Sequence, residues 1–195
     1  MAIKRFADYE TTKGYTDRVE LPKGGYVIGL KKAEAKENSK GQYIEILFDI
    51  VEGEYKGFYE KDYRSQTSED KKWRGKTFLN VPLDDGSVQD GWTKRAFRTF
   101  TDALEASNPG YHFDWDETKF KGKIVGGLFR AEERLYNGEV YTNIKIGSYT
   151  SVDKVRSGQY KLPKDKTVKR PGQASGGSIN DFVSVPDSAE EELPF

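Results

Sequence analysis

The stretch Tyr43-Ile44-Glu45-Ile46-Leu47-Phe48-Asp49-Ile50-Val51 decides the fold, because its side chains alternate in character. Ile44, Ile46, Phe48 and Ile50 fall on one face of an extended strand, and Tyr43, Glu45, Leu47 and Asp49 on the other. Upstream, Tyr26, Ile28 and Leu30 alternate with Val27, Gly29 and Lys31, so Tyr26–Ala33 reads as a strand. The polar stretch Glu34–Gly41 between the two reads as the loop of a hairpin. Downstream, Glu52-Gly53-Glu54 turns the chain into Tyr55–Tyr59, the expected third strand, running on towards Tyr63. Residues 64–91 are irregular and charged, with room for a short strand at Thr77–Val81 and a turn at Asp84-Asp85-Gly86. From Trp92 to Ala106 the period changes: Trp92, Ala96, Phe100, Ala103 and Leu104 recur at helical spacing. Asn108-Pro109-Gly110 stops that helix. Two last strands, Gly122–Tyr136 and Glu139–Tyr149, flank Asn137-Gly138, a strong two-residue hairpin signal.

Three strands, a helix and two strands predict an all-β fold with one helix. That is the layout of an OB-fold, a five-stranded Greek-key barrel whose helix lies between strands 3 and 4. The expected organisation is an N-terminal arm at 1–24, the barrel at 25–150, a basic linker at 151–173 and an acidic disordered tail at 174–195.

The 195 residues sum to zero net charge, with 32 Lys and Arg against 32 Asp and Glu. The zero conceals a split. Residues 174–195 hold five acids (Asp181, Asp187, Glu190, Glu191 and Glu192) and no Lys or Arg, so the remainder carries +5. The absence of Cys excludes disulfide frameworks, thiolate metal sites and thiol nucleophiles. His112 is the single histidine, which leaves little for His-based metal or Ser-His-Asp chemistry. No apolar run approaches the ~18 residues of a membrane span, and Met1–Glu10 has no signal-peptide core, so a cytoplasmic, membrane-free protein is expected. Twenty-six aromatic residues nearly match the 31 Ile, Leu and Val. That ratio suits a surface on which flat ligands stack, and equally a β-rich core packed with rings.

The order of elements, together with the terminal Glu190-Glu191-Glu192-Leu193-Pro194-Phe195, is similar to single-stranded DNA-binding proteins whose bacterial members end in an acidic tip closing with Pro-Phe. Residues 29–59, with their Lys/Glu-rich loop, the Ile44–Ile50 strand and Val51-Glu52-Gly53-Glu54-Tyr55-Lys56-Gly57, resemble phage and prophage proteins of that function. The resemblance implies a non-catalytic protein without cofactor or metal. It would coat single-stranded DNA during phage replication, recombination or repair, in the cytoplasm of an infected or prophage-carrying bacterium. Its tip would recruit replication, recombination and repair proteins. The long insert before the helix, and Glu where Asp is commoner before the tip, depart from the bacterial form and leave the homo-oligomeric state open.

A single strand is held by cations that track phosphates and by aromatic rings on which bases stack. The densest interleaving is Tyr55, Lys56, Phe58, Tyr59, Lys61, Tyr63 and Arg64, then Lys71, Lys72, Trp73, Arg74 and Lys76. Trp73, flanked by four cations, is the leading stacking residue; alternation sends one of Phe58 and Tyr59 inward. A second set lies on the last hairpin, where Arg130, Arg134 and Tyr136 face Tyr141, Lys145 and Tyr149. This face serves equally as a solvated one with ordinary cross-strand Tyr pairs. Tyr43 joins on the polar face of its strand. In the tail, Glu190, Glu191, Glu192, Leu193, Pro194 and Phe195 combine an apolar anchor, a stiff proline and negative charge, which suits a basic-rimmed pocket on a partner protein. A purely solubilising tail gains nothing from an exposed ring.

Two other readings stay open: a metal-dependent phage nuclease using carboxylates such as Asp49 and Glu54 with Lys56, and an adaptor that binds only proteins through its tail. Gly75-Lys76-Thr77 ends like a phosphate-binding loop, but the required earlier glycine falls at Asp70. Asp114, Asp116 and Glu117 read as loop residues rather than a metal site.

Overall fold

The structure, a computed structural model, describes residues 19–168 and, before them, Lys4, Arg5, Ala7, Tyr9 and Glu10. Five strands, β1 (Gly24–Asn38), β2 (Gly41–Ile50), β3 (Lys76–Asn80), β4 (Ile124–Tyr136) and β5 (Glu139–Thr150), form one sheet in the order β3-β2-β1-β4-β5. Every neighbouring pair is antiparallel. Among the described residues three α-helices accompany it: α1 (Phe58–Ser65), α2 (Val88–Ser107) and α3 (Val152–Arg156). The protein is therefore mostly β, and α2 lies between β3 and β4 as expected.

One face of the sheet is the core. Ile28, Leu30, Ile44, Ile46, Phe48, Ile50, Leu79, Val125 and Phe129 pack there against Phe97, Phe100, Ala103 and Leu104 of α2 and against Phe120. The Ser87 hydroxyl caps α2 by accepting from the Asp90 N–H at 3.0 Å. The β4–β5 connection is a two-residue turn in which Asn137 (φ 49°) and Gly138 (φ 83°) both take left-handed backbone, the geometry that Asn-Gly adopts cheaply.

Three expectations are corrected. β1 runs to Asn38, not to Ala33, and the turn is confined to Asn38–Gly41. A bulge at Lys31 shifts the register between Leu30 and Lys32, so the apolar phase jumps from Ile28 and Leu30 to Ala33 and Ala35. Tyr55–Tyr59 is not the third strand: it is a turn leading into α1, and β3 at Lys76–Asn80 takes that place. The physical reason is Asp49, whose carboxylate accepts from the backbone N–H groups of Tyr59 (3.0 Å) and Glu60 (3.1 Å), satisfying donors that a first helical turn leaves open. Finally, residues 151–168, expected as a basic linker, carry defined structure. α3 is followed by a strap that lies along β4. The Lys166 N–H donates to the Ala131 carbonyl at 2.9 Å and the Glu133 N–H to the Lys166 carbonyl at 2.8 Å, a parallel bridge on an edge that β1 leaves open. Residues 1–3 and 169–195, including the tip Glu190–Phe195, lie outside the described residues. Among the described residues no helix is long and apolar enough to cross a membrane.

Candidate nucleic-acid interface

Residues directly opposite in an antiparallel pair share a face. The registers Lys32↔Leu47↔Lys76, Glu34↔Glu45↔Phe78 and Lys36↔Tyr43↔Asn80 therefore place these nine residues on the face of β1–β2–β3 opposite the core. Lys32 and Lys76 are exposed, Lys36, Leu47 and Phe78 half-buried, and Tyr43 buried. Phe78 meets Tyr43 edge-on at 5.8 Å, and the Lys76 ammonium stands 5.8 Å from the Phe78 ring. Lys32 pairs with Glu34 at 2.9 Å, and Lys36 with Glu45 at 3.0 Å. The hydrogen bond to Glu45 raises the Lys36 pKa, and the one from Lys32 lowers that of Glu34, so Lys36 and Glu34 stay charged around neutral pH.

Beside this face lies Trp73. Its indole N–H donates to the carbonyls of Phe48 (3.1 Å) and Gly75 (3.0 Å), which fixes the ring on the edge of the core. Its other neighbours are Tyr63, at 5.8 Å between centroids, and the ammonium of Lys31, 4.8 Å from the ring. The bulge that interrupts β1 is what turns Lys31 towards Trp73 and to within 4.0 Å of Asp49.

The sequence-derived residues divide. Lys56, Lys61, Arg64 and Lys76 are exposed, with Arg64 held by Glu60. Lys72 is half-buried and exchanges backbone hydrogen bonds with the Gln66 side chain. Arg74 is committed to Asp62 at 3.1 Å, so the cation over Trp73 is Lys31 and not one of its sequence neighbours. Tyr59 is buried against Phe48, and Phe58 packs between Tyr55 and Tyr59. On the second set, Arg130 is buried: it donates to Glu132 Oε1 through Nε (3.2 Å) and Nη2 (3.0 Å), and to the Lys164 carbonyl through Nη1 (3.1 Å). Tyr149 packs edge-on against Phe100 at 4.9 Å, and burial pushes its pKa up to about 12. Lys145 and Arg134 are half-buried. Tyr136 and Tyr141 are exposed at the hairpin tip, where the Tyr141 hydroxyl donates to Glu139 at 2.7 Å.

Lys31, Lys32, Lys36, Leu47 and Phe78 were not candidates from sequence. The alternation of Lys76-Thr77-Phe78-Leu79-Asn80 was the available signal for Phe78; those on β1 were hidden by the bulge. Asp49 is 3 % exposed, and its oxygens are taken up by backbone N–H donors, which suits a structural role. Among the described residues no three or more His, Cys, Asp or Glu side chains are grouped to hold a metal ion. Compared with known proteins, the chain matches no family model and no curated protein.

Proposed function

We propose that this chain is a non-catalytic single-stranded DNA-binding protein that holds the strand on the outer face of β1–β2–β3. The observation that carries the reading is the interleaving of Lys32, Lys36 and Lys76 with Leu47 and Phe78 on one surface, next to Trp73 and Lys31. Cations at this spacing can follow phosphates while the rings accept bases. The pairing of Lys32 with Glu34 is exposed and weak enough for a phosphate to displace.

The OB-fold belongs to the same proposal. In its favour are the strand order, the position of α2 and the approach of the two edge strands through Thr77 and Tyr149. The phage-type role and recruitment of replication, recombination or repair proteins through Glu190–Phe195 rest on the resemblance and on the chemistry of those six residues.

Titration with oligo(dT) while following tryptophan fluorescence, against a duplex control, tests the reading. Quenching by the single strand, lost in Trp73→Phe, is the expected result. Equal binding of duplex, or no binding, overturns it. Degradation of labelled strands with magnesium or manganese favours the nuclease instead. A chain ending at Gly177 is expected to bind somewhat better, because the tail's −5 no longer competes for the basic face.

A further inference from the structure

The β4–β5 hairpin outruns the rest of the sheet. β1 pairs with β4 only from Ile124 to Phe129, whereas β5 follows β4 to the tip at Tyr136 and Glu139. The strap closes one border of this arm, and β5 forms the other. Ala131 and Glu133 give their backbone groups to Lys166, so they turn away from β5. Their cross-strand partners, Ile144 and Thr142, turn away from β4 in the same way, and Val140 follows by alternation. Among the described residues no backbone hydrogen bond reaches this outward row.

Strand borders are normally guarded by charge, proline or a bulge. The stretch Val140-Tyr141-Thr142-Asn143-Ile144 has none of these, since the irregularity of the pair lies back at Leu128 and Phe129. Its outward row is β-branched throughout, and Val140 and Tyr141 are 40 % and 48 % exposed.

The same stretch is self-complementary. Laid antiparallel on a second copy about a two-fold axis at Thr142, it sets Val140 opposite Ile144, Tyr141 opposite Asn143 and Thr142 opposite itself. At both ends Glu139 then meets Lys145. Opposite residues share a face, so acid meets base, the aliphatic side chains meet, and the threonines meet. Val140, Thr142 and Ile144 carry the outward backbone groups, so each of their pairs exchanges two hydrogen bonds. A slip of one residue sets outward groups against inward ones. A slip of two, in either direction, parts Glu139 from Lys145.

We propose that β5 pairs with β5 of a second copy in this register, forming a two-fold dimer through one continuous sheet. The palindromic arrangement of charge favours a second copy over an unrelated strand. Glu139–Lys145 is far shorter than the ~20 to 30 residues a side of a standard interface, so the dimer is expected to dissociate on dilution through the micromolar range. It does not depend on the single-strand reading.

Sedimentation of the full chain over a micromolar concentration series, with 22.2 kDa for the monomer, tests the pairing. A monomer–dimer equilibrium is expected, which Thr142→Pro should weaken about tenfold or more. Because the Thr142 N–H points away from β4, proline there costs the hairpin no ladder bond. Cross-linking gives a second readout that does not need proline to be tolerated. The chain has no cysteine, so Thr142→Cys supplies a unique thiol. Its two copies would stand about 5.5 Å apart between Cα atoms, within reach of a disulfide. Those of Glu139→Cys would stand about 20 Å apart. Thr142→Cys is expected to link to itself on mild oxidation while Glu139→Cys does not. A chain that stays monomeric throughout the series, a dimer undiminished in folded Thr142→Pro, or equal linking of the two thiols overturns the assignment.

Discussion

The hydroxyls of Tyr149 and Thr77 lie 3.2 Å apart, joining β5 to β3, the strands at opposite ends of the sheet order. The sheet is thus curled far enough for its two edges to meet through side chains, with the Phe100 ring of α2 against Tyr149 below them. Tyr149→Phe removes this link and keeps the ring. A loss of about 1 kcal/mol is expected, read as a lower urea midpoint at unchanged slope.

Alkaline pH should act through the same residue. The Tyr149 pKa stands at about 12 in the folded chain against 10.0 unperturbed, because burial disfavours the phenolate. Tyr26 is raised to the same level, by burial first and then by Tyr55, Tyr160 and Glu54. A phenol that ionises more readily when unfolded pulls towards unfolding, so this part of the stability is complete below pH 10 and is lost as pH rises to about 12. Thermal melts across that window should fall less steeply in Tyr149→Phe than in the parent chain.

Arg130 is the fastening of the strap. Arg130→Ala frees the Lys164 carbonyl and leaves the largely buried Glu132 without its cation. A destabilisation of ~3 kcal/mol is expected. Hydrogen exchange adds a local signature: the Lys166 and Glu133 amides, which make the parallel bridge, should lose protection well before those of β1 and β2.

Gly75 has no room for a side chain. A Cβ there would stand 2.4 Å from the Phe48 carbonyl oxygen and 2.9 Å from the Trp73 indole nitrogen. Gly75→Ala should therefore displace Trp73, cost on the order of 2 kcal/mol, and red-shift its fluorescence as the indole loses its two carbonyl acceptors.

On the outer face, Lys76→Ala should lower the log–log salt slope of oligo(dT) binding by about 0.7, the share of one phosphate on a single strand. Phe78→Ala should weaken binding by about 1 to 3 kcal/mol with the slope unchanged, since stacking releases no counterion. Arg156→Ala, whose guanidinium is held by Glu52 on α3's side of the molecule, serves as the basic-residue control and should leave both quantities alone.

The parts of the fold that follow from neighbouring residues were legible in the sequence. Ile44–Ile50 alternates without interruption, and Asn137-Gly138 builds its turn from its own two residues. What stayed hidden depends on distant partners. The aromatic run at Tyr55–Tyr59 looks like a strand until Asp49, on β2, is seen to supply acceptors to the start of α1. The basic outer face was lost for a different reason: one extra residue at Lys31 reverses the phase of β1, so that Lys32 and Lys36 sit where uninterrupted alternation does not put them. The strap has no periodicity to read, because it is held by Arg130, by the Asp165–Lys23 ion pair and by the Tyr160 hydroxyl that accepts from the Gly25 N–H.

The strap also bears on self-association. By covering Ala131 and Glu133 it occupies backbone groups that would otherwise form an open strand border beside the exposed Leu135 and Tyr136. Such borders recruit other strands. A chain shortened at Thr150, where the barrel was expected to end, would be left with an adhesive seam; one shortened beyond Val168 keeps its seal.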